Sequence, residues 1–524
     1  MTVSLALCAI SLAPIEARRV SWLEAAEACK PVLIERVVRP VHLMKPVEDA
    51  SAFLGWRLSA ANEAAVALNR PLEPGETFYF DFGEHLTGHF SIRLVRCGTP
   101  VDAPVRLHLE FGEVPAEIVR SFDKSCGLAS SWHQDEWLTV DEVPSRAEVP
   151  RRLSFRYVKL TVDGCSRGGR CALGDVWMTA MTSADETKLV PFAGTGLDVE
   201  IDRVANRTLR ECMQTVLEDG PKRDRRLWLG DLRLQALANY ATYRNFDVVK
   251  RSLLVLAGTC ATNGLVSTAA YERPVPEAAT SRILDYTALF ANTVEEYLAA
   301  SGDRETAESL WPLVLKQTDF MLEALDGEGL VREELPWWQF IDWQPAMKRQ
   351  ASEQAVIVSS LRATERLGRA LGHVEDVAFV PDVVEKMSVA ARRWLWDASR
   401  GVWVSNGDNV SWMSQAWMAL AGVATPEEAR RSLKAVMTDP AAIRPMTPYA
   451  HHYFTEALFR CGLREEALKH LRDYWGGMVR LGADTFWEVW VPDDPEKSPY
   501  GNVLINSFCH AWSCTAGYLL RKYL

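Results

Sequence analysis

Hydrophobic and polar residues alternate with a period of two in the first part of the chain. Up to about residue 185, alternating stretches such as Phe78–Phe82 are separated by Gly, Pro and Asp residues. Short strands joined by such turns favour an antiparallel β-sandwich, which we place at residues 46–190. Residues 1–45 precede the sandwich as an N-terminal segment of unclear role.

From about residue 196 the apolar residues recur every three to four positions. This period predicts roughly twelve helices across residues 191–524. Many of them are apolar around much of their circumference, which is expected where one layer of helices encloses another. Twelve helices in antiparallel pairs fit six hairpins closed into an (α/α)6 toroid. The expected fold is therefore a β-sandwich followed by a toroid whose connecting loops line a bowl.

The composition narrows the classes of function. The chain has 524 residues, of which 48% are hydrophobic, so it can bury a large core. Its formal net charge of −11 argues against nucleic acid as a partner, because phosphate binding needs a basic face. The 19 tryptophans suit a carbohydrate partner, since the apolar face of a sugar stacks on a flat ring while its hydroxyls need fixed polar groups.

The cysteines and the N-terminus say less about the function than the composition does. The 11 cysteines match neither a zinc pattern nor a disulfide framework, which favours reduced thiols. The apolar start lacks a basic segment, so no clear signal peptide is indicated and a cytoplasmic or periplasmic location is expected. The sequence has no run of about 18 apolar residues, so no membrane-spanning helix is expected. Neither a metal nor another cofactor is expected, since the motifs that bind them are missing from the sequence. A homodimer is the expected assembly.

The stretch "DGPKRDRRLWLGD", residues 219–231, places three aspartates, four basic residues and a tryptophan at one junction between helices. In one interpretation Asp231 is a helix N-cap and the arginines neutralise the aspartates in a salt-bridge network. In the other, a carboxyl group beside an indole and other acids keeps its proton, because burial and nearby negative charge both raise a carboxyl pKa. Such a group is a candidate general acid.

A second acidic cluster is "LGADTFWEVW", in which Glu488 lies between Trp487 and Trp490. Hydrolysis of a glycosidic bond needs two carboxyl groups on opposite sides of the bond: one protonates the leaving oxygen, and the other activates water or attacks the sugar. The first and last hairpins of a closed ring are neighbours. The two clusters are therefore natural candidates for this pair.

Other residues are candidates for substrate binding with a structural alternative for each. The stretch "LPWWQFIDWQP" is rich in bulky rings that either stack on sugar or pack in the core. Asp285 lies near a helix start, where an acid also suits the helix dipole. His451 and His452 are interpreted as a hydrogen-bonded wall rather than a metal site. The candidates outside residues 219–231 are Asp285, Trp338, Asp342, Trp343, Trp490 and His510.

"DGPKRDRRLWLGD" resembles the signature of the α-L-rhamnosidases of glycoside hydrolase family 78, roughly Asp-Cys-Pro-x-Arg-Glu-x-x-x-Trp-x-Gly-Asp. "GADTFWEVW" resembles the later Gly-Ala-Thr-Thr-x-x-Glu-x-Trp segment, and "NSFCHAW" the Ser-x-Asn-His segment. Upstream, "FYFDFGEHLTGHFSIRL" and "FRYVKLTV" are similar to the β-sandwich that precedes the toroid in that family. The resemblance covers about residues 75–524.

The resemblance implies an inverting mechanism. Asp224 would be the general acid and Glu488 the general base. The residues that would contact the sugar are Asp219, Arg223, Asp231 and, as a stacking wall, Trp228. Two positions depart from the family pattern: Gly220 replaces its Cys, and Asp224 replaces its Glu.

Three functions follow as hypotheses. The first is an inverting exo-acting glycosidase, most simply an α-L-rhamnosidase, with its two carboxyl groups roughly 6.5–9.5 Å apart. The second is another (α/α)6 enzyme, an unsaturated-uronyl hydrolase or a polysaccharide lyase, which would aim a basic residue at a uronate carboxylate. The third is a non-catalytic carbohydrate-binding homologue, which the shortened acid at Asp224 favours.

Overall fold

The computed structural model describes residues 13–98, 100–122, 132–166 and 171–524. Residues 1–12, on which the question of a signal peptide depends, lie outside these ranges. Within them, none of the helices combines the length and the apolar character that crossing a membrane requires.

The N-terminal part forms an antiparallel sheet, as the alternation predicts. Nine strands belong to it in the ranges that the structure covers. They are β1 (Ile34–Val38), β2 (His42–Glu48), β3 (Trp56–Glu63), β4 (Thr77–Arg96), β5 (Val105–Gly112), β6 (Asp135–Val140), β7 (Ser145–Glu148), β8 (Leu153–Gly164) and β9 (Cys171–Thr182). The order is β1-β9-β4-β8-β5-β6, with β2 beside β3 and β4, and β7 beside β4.

The sheet has a hydrophobic core of its own, in which β4 is the central strand. The first part of β4 pairs with β8 from Thr77, and the last part pairs with β9 up to Arg96. Gly88 lies in this strand because a Cβ there would come within 2.0 Å of the carbonyl oxygen of Thr179. Four phenylalanines from β4, β5 and β8 form a cluster with ring centroids 4.9–6.3 Å apart: Phe82, Phe90, Phe111 and Phe155. Phe80 is buried in the same core.

The C-terminal part is helical. Before it, the described residues form two helices, α1 (Ala13–Ala28) and the short α2 (Pro115–Val119). The others are α3 (Leu197–Cys212), α4 (Leu229–Ala241), α5 (Phe246–Gly258), α6 (Leu284–Ser301), α7 (Arg304–Leu322), α8 (Gln350–Leu371), α9 (Val380–Leu395), α10 (Trp412–Leu420), α11 (Pro426–Thr438), α12 (Pro448–Arg460), α13 (Arg464–Arg480) and α14 (Thr515–Tyr523).

Local signals fix the ends of several of these helices. Thr425 and Glu428 form a capping box at the start of α11, which satisfies two backbone N–H groups. Gly302 ends α6 in the left-handed region at φ 72°. Two small sheets interrupt the helices: β10 (Leu227–Trp228), β11 (Ala269–Tyr271) and β12 (Glu277–Ala278), then β13 (Trp396–Asp397), β14 (Val402–Ser405) and β15 (Asn409–Val410).

The even-numbered helices pack against one another in chain order. From α4, contacts run through α6, α8, α10 and α12 to α14, and α14 contacts α4 in turn. The odd-numbered helices α5, α7, α9, α11 and α13 each pack against the even-numbered helix that precedes them, and α3 packs against α13 and α14. One large hydrophobic core connects these helices.

The described part of the N-terminal segment, residues 13–45, contacts both parts of the molecule. On α1, Ile15, Trp22 and Ala26 are buried in the core of the helical part, where α1 packs against α5. Arg251 of α5 donates a hydrogen bond to the carbonyl oxygen of Ala26. Strand β1, by contrast, pairs with β9 of the sheet.

Candidate active site

A pocket of about 210 Å³ lies at the N-terminal ends of α4, α6 and α14. Both acidic clusters identified in the sequence reach it. Nine of the candidate residues line it: Asp219, Arg223, Asp224, Trp228, Asp231, Trp338, Trp343, Glu488 and His510. The loops that join the helices therefore bring together side chains that are far apart in sequence.

The loop between α3 and α4 carries the first cluster and closes on itself. Asp219 donates its backbone N–H to the carbonyl oxygen of Arg226 at 3.0 Å, and its Oδ1 accepts the N–H of Arg226 at 3.0 Å. At the tip of this loop, Asp224 and Arg225 both adopt the left-handed region, with φ of 64° and 54°. Asp tolerates this region better than most residues, so the sequence supports the sharp bend at this point.

Two glycines of the same stretch allow close packing. At Gly230 a Cβ would lie 2.4 Å from the ring of Tyr286, which lines the pocket. At Gly220 a Cβ would lie 2.6 Å from Oγ of Ser507. The backbone N–H of Ser507 in turn donates to Oε2 of Glu488 at 2.9 Å. A side chain at Gly220 would therefore press on the residue that holds this carboxylate.

One guanidinium group links the two acidic clusters. Arg223 donates through Nη2 to Oε1 of Glu488 at 2.5 Å, and its Nη1 lies 3.4 Å from Oδ2 of Asp224. Trp132, from the sheet part of the chain, and Tyr500 stack against this guanidinium, which lies 5.2 Å and 4.2 Å from their ring centres. The carboxyl groups of Asp224 and Glu488 therefore share Arg223 as a neighbour.

Glu488 is buried and held in its ionised form. Burial opposes ionisation, but Arg223, His510 and the hydroxyl of Tyr500 outweigh it and lower the pKa of Glu488 to about 2. The Tyr500 hydroxyl donates to Oε1 at 2.5 Å. Glu488 is therefore a carboxylate at neutral pH, ready to accept a proton or a hydrogen bond.

Asp219 and Asp231 have the opposite electrostatics. Both are buried, and burial, with the charge of neighbouring carboxylates, raises the pKa of each well above its usual value. Nδ1 of His510 lies 3.6 Å from Oδ1 of Asp231, and neither atom has a hydrogen-bond partner within the part of the chain that the structure describes. Burial lowers the pKa of His510 to about 4. Oδ1 of Asp231 and Nδ1 of His510 are therefore available to bind the hydroxyls of a ligand.

The interpretation of Asp231 as an N-cap is wrong. Trp228 occupies the N-cap position of α4, and Asp231 lies in the first turn. Its side chain is only 2% exposed and lines the pocket.

Aromatic rings form the rest of the lining. Trp228 contacts Tyr286 edge-on at 6.3 Å, and Trp338 contacts Trp343 at 5.4 Å. Trp338 is 44% exposed, which places it at the mouth of the pocket. Flat apolar walls beside buried carboxyl groups suit a ring that has one apolar face and several hydroxyls.

A buried set of charges holds the first cluster against the sheet. Lys222, next to Arg223, donates to Oε1 of Glu117 on α2 at 2.7 Å and to the carbonyl oxygen of Asn506 at 2.5 Å. Glu113 lies 3.5 Å from Lys222 and 3.0 Å from Nε2 of His85. Each of these side chains is almost completely buried. The contacts of Lys222 hold the loop against both the sheet part and the segment before α14.

Three candidate residues lie outside the lining of the pocket. Asp285 accepts the backbone N–H groups of Phe340 and Ile341, at 2.9 and 3.1 Å. Asp342 accepts those of Met446 and Thr447, at 2.8 and 3.0 Å. Both aspartates thus hold the aromatic loop before α8 instead of facing a ligand. Trp490 is buried against Gly477 of α13, whose Cβ would lie 2.2 Å from its ring.

The sequence interpretation also missed several residues that line the pocket, among them Trp132, Phe340, Tyr500 and Trp512. Phe340 and Trp512 belong to stretches in which the sequence points to other residues, "LPWWQFIDWQP" and "NSFCHAW". Trp132 and Tyr500 lie in loops without a periodic pattern, and only the folded chain brings them beside Arg223.

The histidine pair does not face the pocket. Nδ1 of His451 lies 2.9 Å from Nε2 of His470, and its ring stacks on Tyr474 at 3.7 Å. In the ranges that the structure covers, no group of three or more His, Cys, Asp or Glu side chains is arranged to hold a metal ion.

Comparison with family models gives two matches. Residues 40–180 match the glycosyl hydrolase family 78 alpha-rhamnosidase N-terminal domain. Residues 199–524 match the bacterial alpha-L-rhamnosidase 6 hairpin glycosidase domain. No curated protein gives a significant match to the sequence.

The solved structures that are similar to this chain include three rhamnosidases. A rhamnosidase from Klebsiella oxytoca with rhamnose bound is 39% identical, with a TM-score of 0.92 over 96% of this chain and 98% of that one. A family 78 rhamnosidase from Bacillus sp. GL1 is 22% identical, with a TM-score of 0.75 over 89% of this chain and 49% of its own. A Streptomyces avermitilis α-L-rhamnosidase complexed with L-rhamnose is 17% identical, with a TM-score of 0.64 over 86% and 43%. The last two likenesses concern the fold alone, and this chain spans about half the length of those proteins.

Proposed function

Because the chain belongs to glycoside hydrolase family 78, we propose that it is an α-L-rhamnosidase, an inverting and exo-acting enzyme that releases a terminal rhamnose or a related deoxy-sugar. The observation that carries this proposal is the contact of Asp224 and Glu488 with one guanidinium at the wall of one pocket. The rhamnose bound to the relative that is 39% identical supports the choice of sugar.

In the proposed reaction Asp224 is the general acid and Glu488 the general base. Asp224 gives its proton to the glycosidic oxygen as the bond from this oxygen to the anomeric carbon breaks. Glu488 takes a proton from a water molecule whose oxygen bonds to the anomeric carbon from the opposite face, which inverts the configuration. The depressed pKa of Glu488, about 2, keeps it ionised for this role.

The other pocket residues are proposed to bind the sugar. Asp219, Arg223, Asp231 and His510 offer polar atoms for its hydroxyls, and Trp228, Trp338 and Trp343 offer flat surfaces for its carbon face. We propose a supporting role for Asp285, Asp342 and Trp490, which hold the loops that carry these groups.

The left-handed bend at Asp224 offers a reason for the shorter acid. With φ of 64° at Asp224 and 54° at Arg225, the backbone adopts a region in which Asp is several-fold enriched among residues other than glycine. In the proposal, the bend and the Asp act together, so that the carboxyl group reaches the glycosidic oxygen without the extra methylene of Glu.

The finer architecture also belongs to this proposal. A toroid of six helix hairpins is supported by the successive contacts of the even-numbered helices and by the return contact of α14 with α4. A β-sandwich is supported by the change of partners along β4. We keep the division into residues 1–45, 46–190 and 191–524, the homodimer and the cytoplasmic or periplasmic location as predictions.

Hydrolysis of 4-nitrophenyl α-L-rhamnopyranoside tests the function. We expect release of nitrophenol by the wild type and the loss of nearly all turnover in Asp224→Asn and Glu488→Gln. Asp408→Asn, which changes an exposed aspartate, serves as the matched control. Proton NMR of the first sugar released should show the inverted anomer.

The other hypotheses give different results in the same assay. Turnover that survives in both variants would remove these acids from the mechanism. Turnover of an unsaturated uronide but of no rhamnoside would favour a different (α/α)6 enzyme. Binding of rhamnose without turnover of any glycoside would indicate a carbohydrate-binding homologue.

A further inference from the structure

A second cavity lies among the helices, away from the candidate active site. Two adjoining spaces, of about 300 and 350 Å³, share Arg233, Glu296, Ser359, Leu420 and Arg460 in their linings. One space adds Lys522, and the other adds Arg362 and Arg366, of which Arg366 pairs with Glu295. We call the combined space, lined by Arg233, Arg362, Arg460 and Lys522, the arginine cavity.

A layer of tyrosines separates the arginine cavity from the pocket. Tyr286 lines the pocket and contacts Tyr449 at 6.2 Å, and Tyr449 contacts Tyr453 at 5.1 Å. Tyr453 lines the arginine cavity. Along α6, Tyr286 and Glu296 are about 15 Å apart at 1.5 Å per residue. The two spaces are therefore distinct.

The carboxylates of the arginine cavity are already paired. Glu296 accepts two hydrogen bonds from Arg233, at 2.6 and 3.0 Å. Glu456 accepts one from Lys522 at 2.7 Å and lies 3.3 Å from Nε2 of His452. Arg233 and Lys522 are thus neutralised inside the cavity.

Two arginines remain without a counter-charge. Neither Arg362 nor Arg460 forms a hydrogen bond or an ion pair with any residue that the structure describes, and Nε of Arg362 is buried. Arg460 ends α12, where its charge offsets the helix dipole. This explanation does not apply to Arg362, because it lies nine residues before the end of α8 and dipole effects fall off within the last turn.

Further unpartnered groups indicate what the cavity accepts. Trp417 lines it and is 2% exposed, yet its indole N–H has no acceptor among the described residues. Oδ1 of Asn292 is an unpartnered acceptor in the same lining. A ligand that is rich in acceptors and carries one hydroxyl or proton matches this set, since buried polar groups are normally hydrogen-bonded.

We propose that the arginine cavity binds a small oxyanion, and that Arg362 and Arg460 are its direct ligands. Planar guanidinium groups bind the oxygens of phosphate and carboxylate through paired, charge-assisted hydrogen bonds. Hydrogen phosphate and a uronate both carry such an anionic group together with a hydroxyl. The site is independent of the pocket and of the proposed rhamnosidase activity.

Calorimetric titration at low ionic strength tests the site, with sodium phosphate in one arm and sodium glucuronate in the other. We expect saturable binding of at least one anion with a Kd of about 1 mM or below. Arg362→Gln and Arg460→Gln should each weaken it roughly 10-fold, the loss of one charge-assisted contact. Arg369→Gln is the matched control, because Arg369 lies two turns further along α8 and pairs with the neighbouring Glu365.

The two arms distinguish the source of the anion, since binding in only one of them identifies phosphate or uronate. No saturable heat with either salt in the wild type overturns the proposal. Unchanged affinity in both arginine variants overturns it as well, because the anion then binds elsewhere. Hydrolysis of the nitrophenyl rhamnoside should be unaffected by Arg362→Gln, so a failure of the proposed activity and a failure of this site are read separately.

Discussion

The hydroxyl of Tyr500 and the guanidinium of Arg223 donate hydrogen bonds to the same oxygen of Glu488. In Tyr500→Phe the carboxylate loses one donor, so its pKa should rise from about 2 toward the usual value. We expect kcat/KM to fall roughly 10-fold and the acid limb of its pH profile to move to higher pH. An unshifted acid limb would mean that the hydroxyl does not tune Glu488. Tyr79→Phe, in the sheet, is the control.

The buried carboxyl group of Asp231 should lower the free energy of unfolding at neutral pH. Its pKa is raised by burial and by Glu488, so the folded state binds a proton more tightly than the unfolded state. The free energy of unfolding then falls as the pH rises above about 3.8, the value for an unperturbed aspartate. Asp231→Asn should therefore raise Tm at pH 7 by roughly 2 °C, with a difference that shrinks toward pH 4. Calorimetric scans at both pH values, with Asp408→Asn as the control, measure this effect.

Asp224→Glu tests the role of the left-handed bend. The longer side chain restores the residue of the family signature, but we expect it to reduce kcat by about 100-fold, because a displacement of 1 Å at a reacting group is enough for such a loss. Rhamnoside hydrolysis by Asp224→Glu and Asp224→Asn, measured side by side, gives the comparison. Activity of the Glu variant equal to the wild type would show that the backbone at Asp224 does not depend on the shorter acid.

Some of the aspartates that the sequence suggests as site residues line the pocket, and others do not. Asp219, Asp224 and Asp231 lie in one stretch with a recognisable spacing, and Glu488 lies in a second. Asp285 and Asp342 have the same chemistry, but backbone N–H groups of neighbouring loops occupy their carboxylates. Only tertiary contacts distinguish a carboxylate that holds a loop from one that faces a ligand.

The position of the loop between α3 and α4 depends on the buried ion pair of Lys222 with Glu117 of α2. Lys222→Met should lower the free energy of unfolding by about 3–5 kcal/mol, because it leaves Glu117 buried without its cation. In the double variant Lys222→Met/Glu117→Gln we expect most of this stability to return. We expect kcat to be low in both the single and the double variant, because the hydrogen bond of Lys222 to Asn506 is broken in each.

Urea unfolding and rhamnoside kinetics on the same samples check this prediction. Arg120→Gln is the control, since Arg120 forms an exposed ion pair with Glu496 and joins the same parts of the chain. If kcat and stability recovered together in the double variant, Lys222 would have only a structural role.

The helices were predictable from the sequence because their apolar residues repeat with the helical period over 9 to 22 residues. The two small sheets were not, since strands as short as β10 and β15 are too brief to show alternation. The sequence does not predict helix α1 for a related reason. Ile15, Trp22 and Ala26 are buried apolar residues whose partner surface on α5 the sequence does not reveal.

At the scale of the whole molecule, α1 should stabilise the helical part rather than the sheet. Trp22→Ala removes a side chain that is 3% exposed and should cost about 3–5 kcal/mol. Val20→Ala, on the same helix at a position that is 64% exposed, should have almost no effect. Urea unfolding measures the loss, and hydrogen exchange should accelerate in α5 but not in β4. Acceleration in the sheet alone would contradict this placement of α1.

The tyrosine layer between the pocket and the arginine cavity has a kinetic consequence. Tyr286 lines the pocket, and Tyr449 and Tyr453 lie behind it. In the proposed exo-acting reaction, a freed monosaccharide would therefore leave by the route through which the terminal sugar entered. Such an enzyme would release its substrate after every cleavage, and free sugar that accumulates would compete with the next terminal sugar.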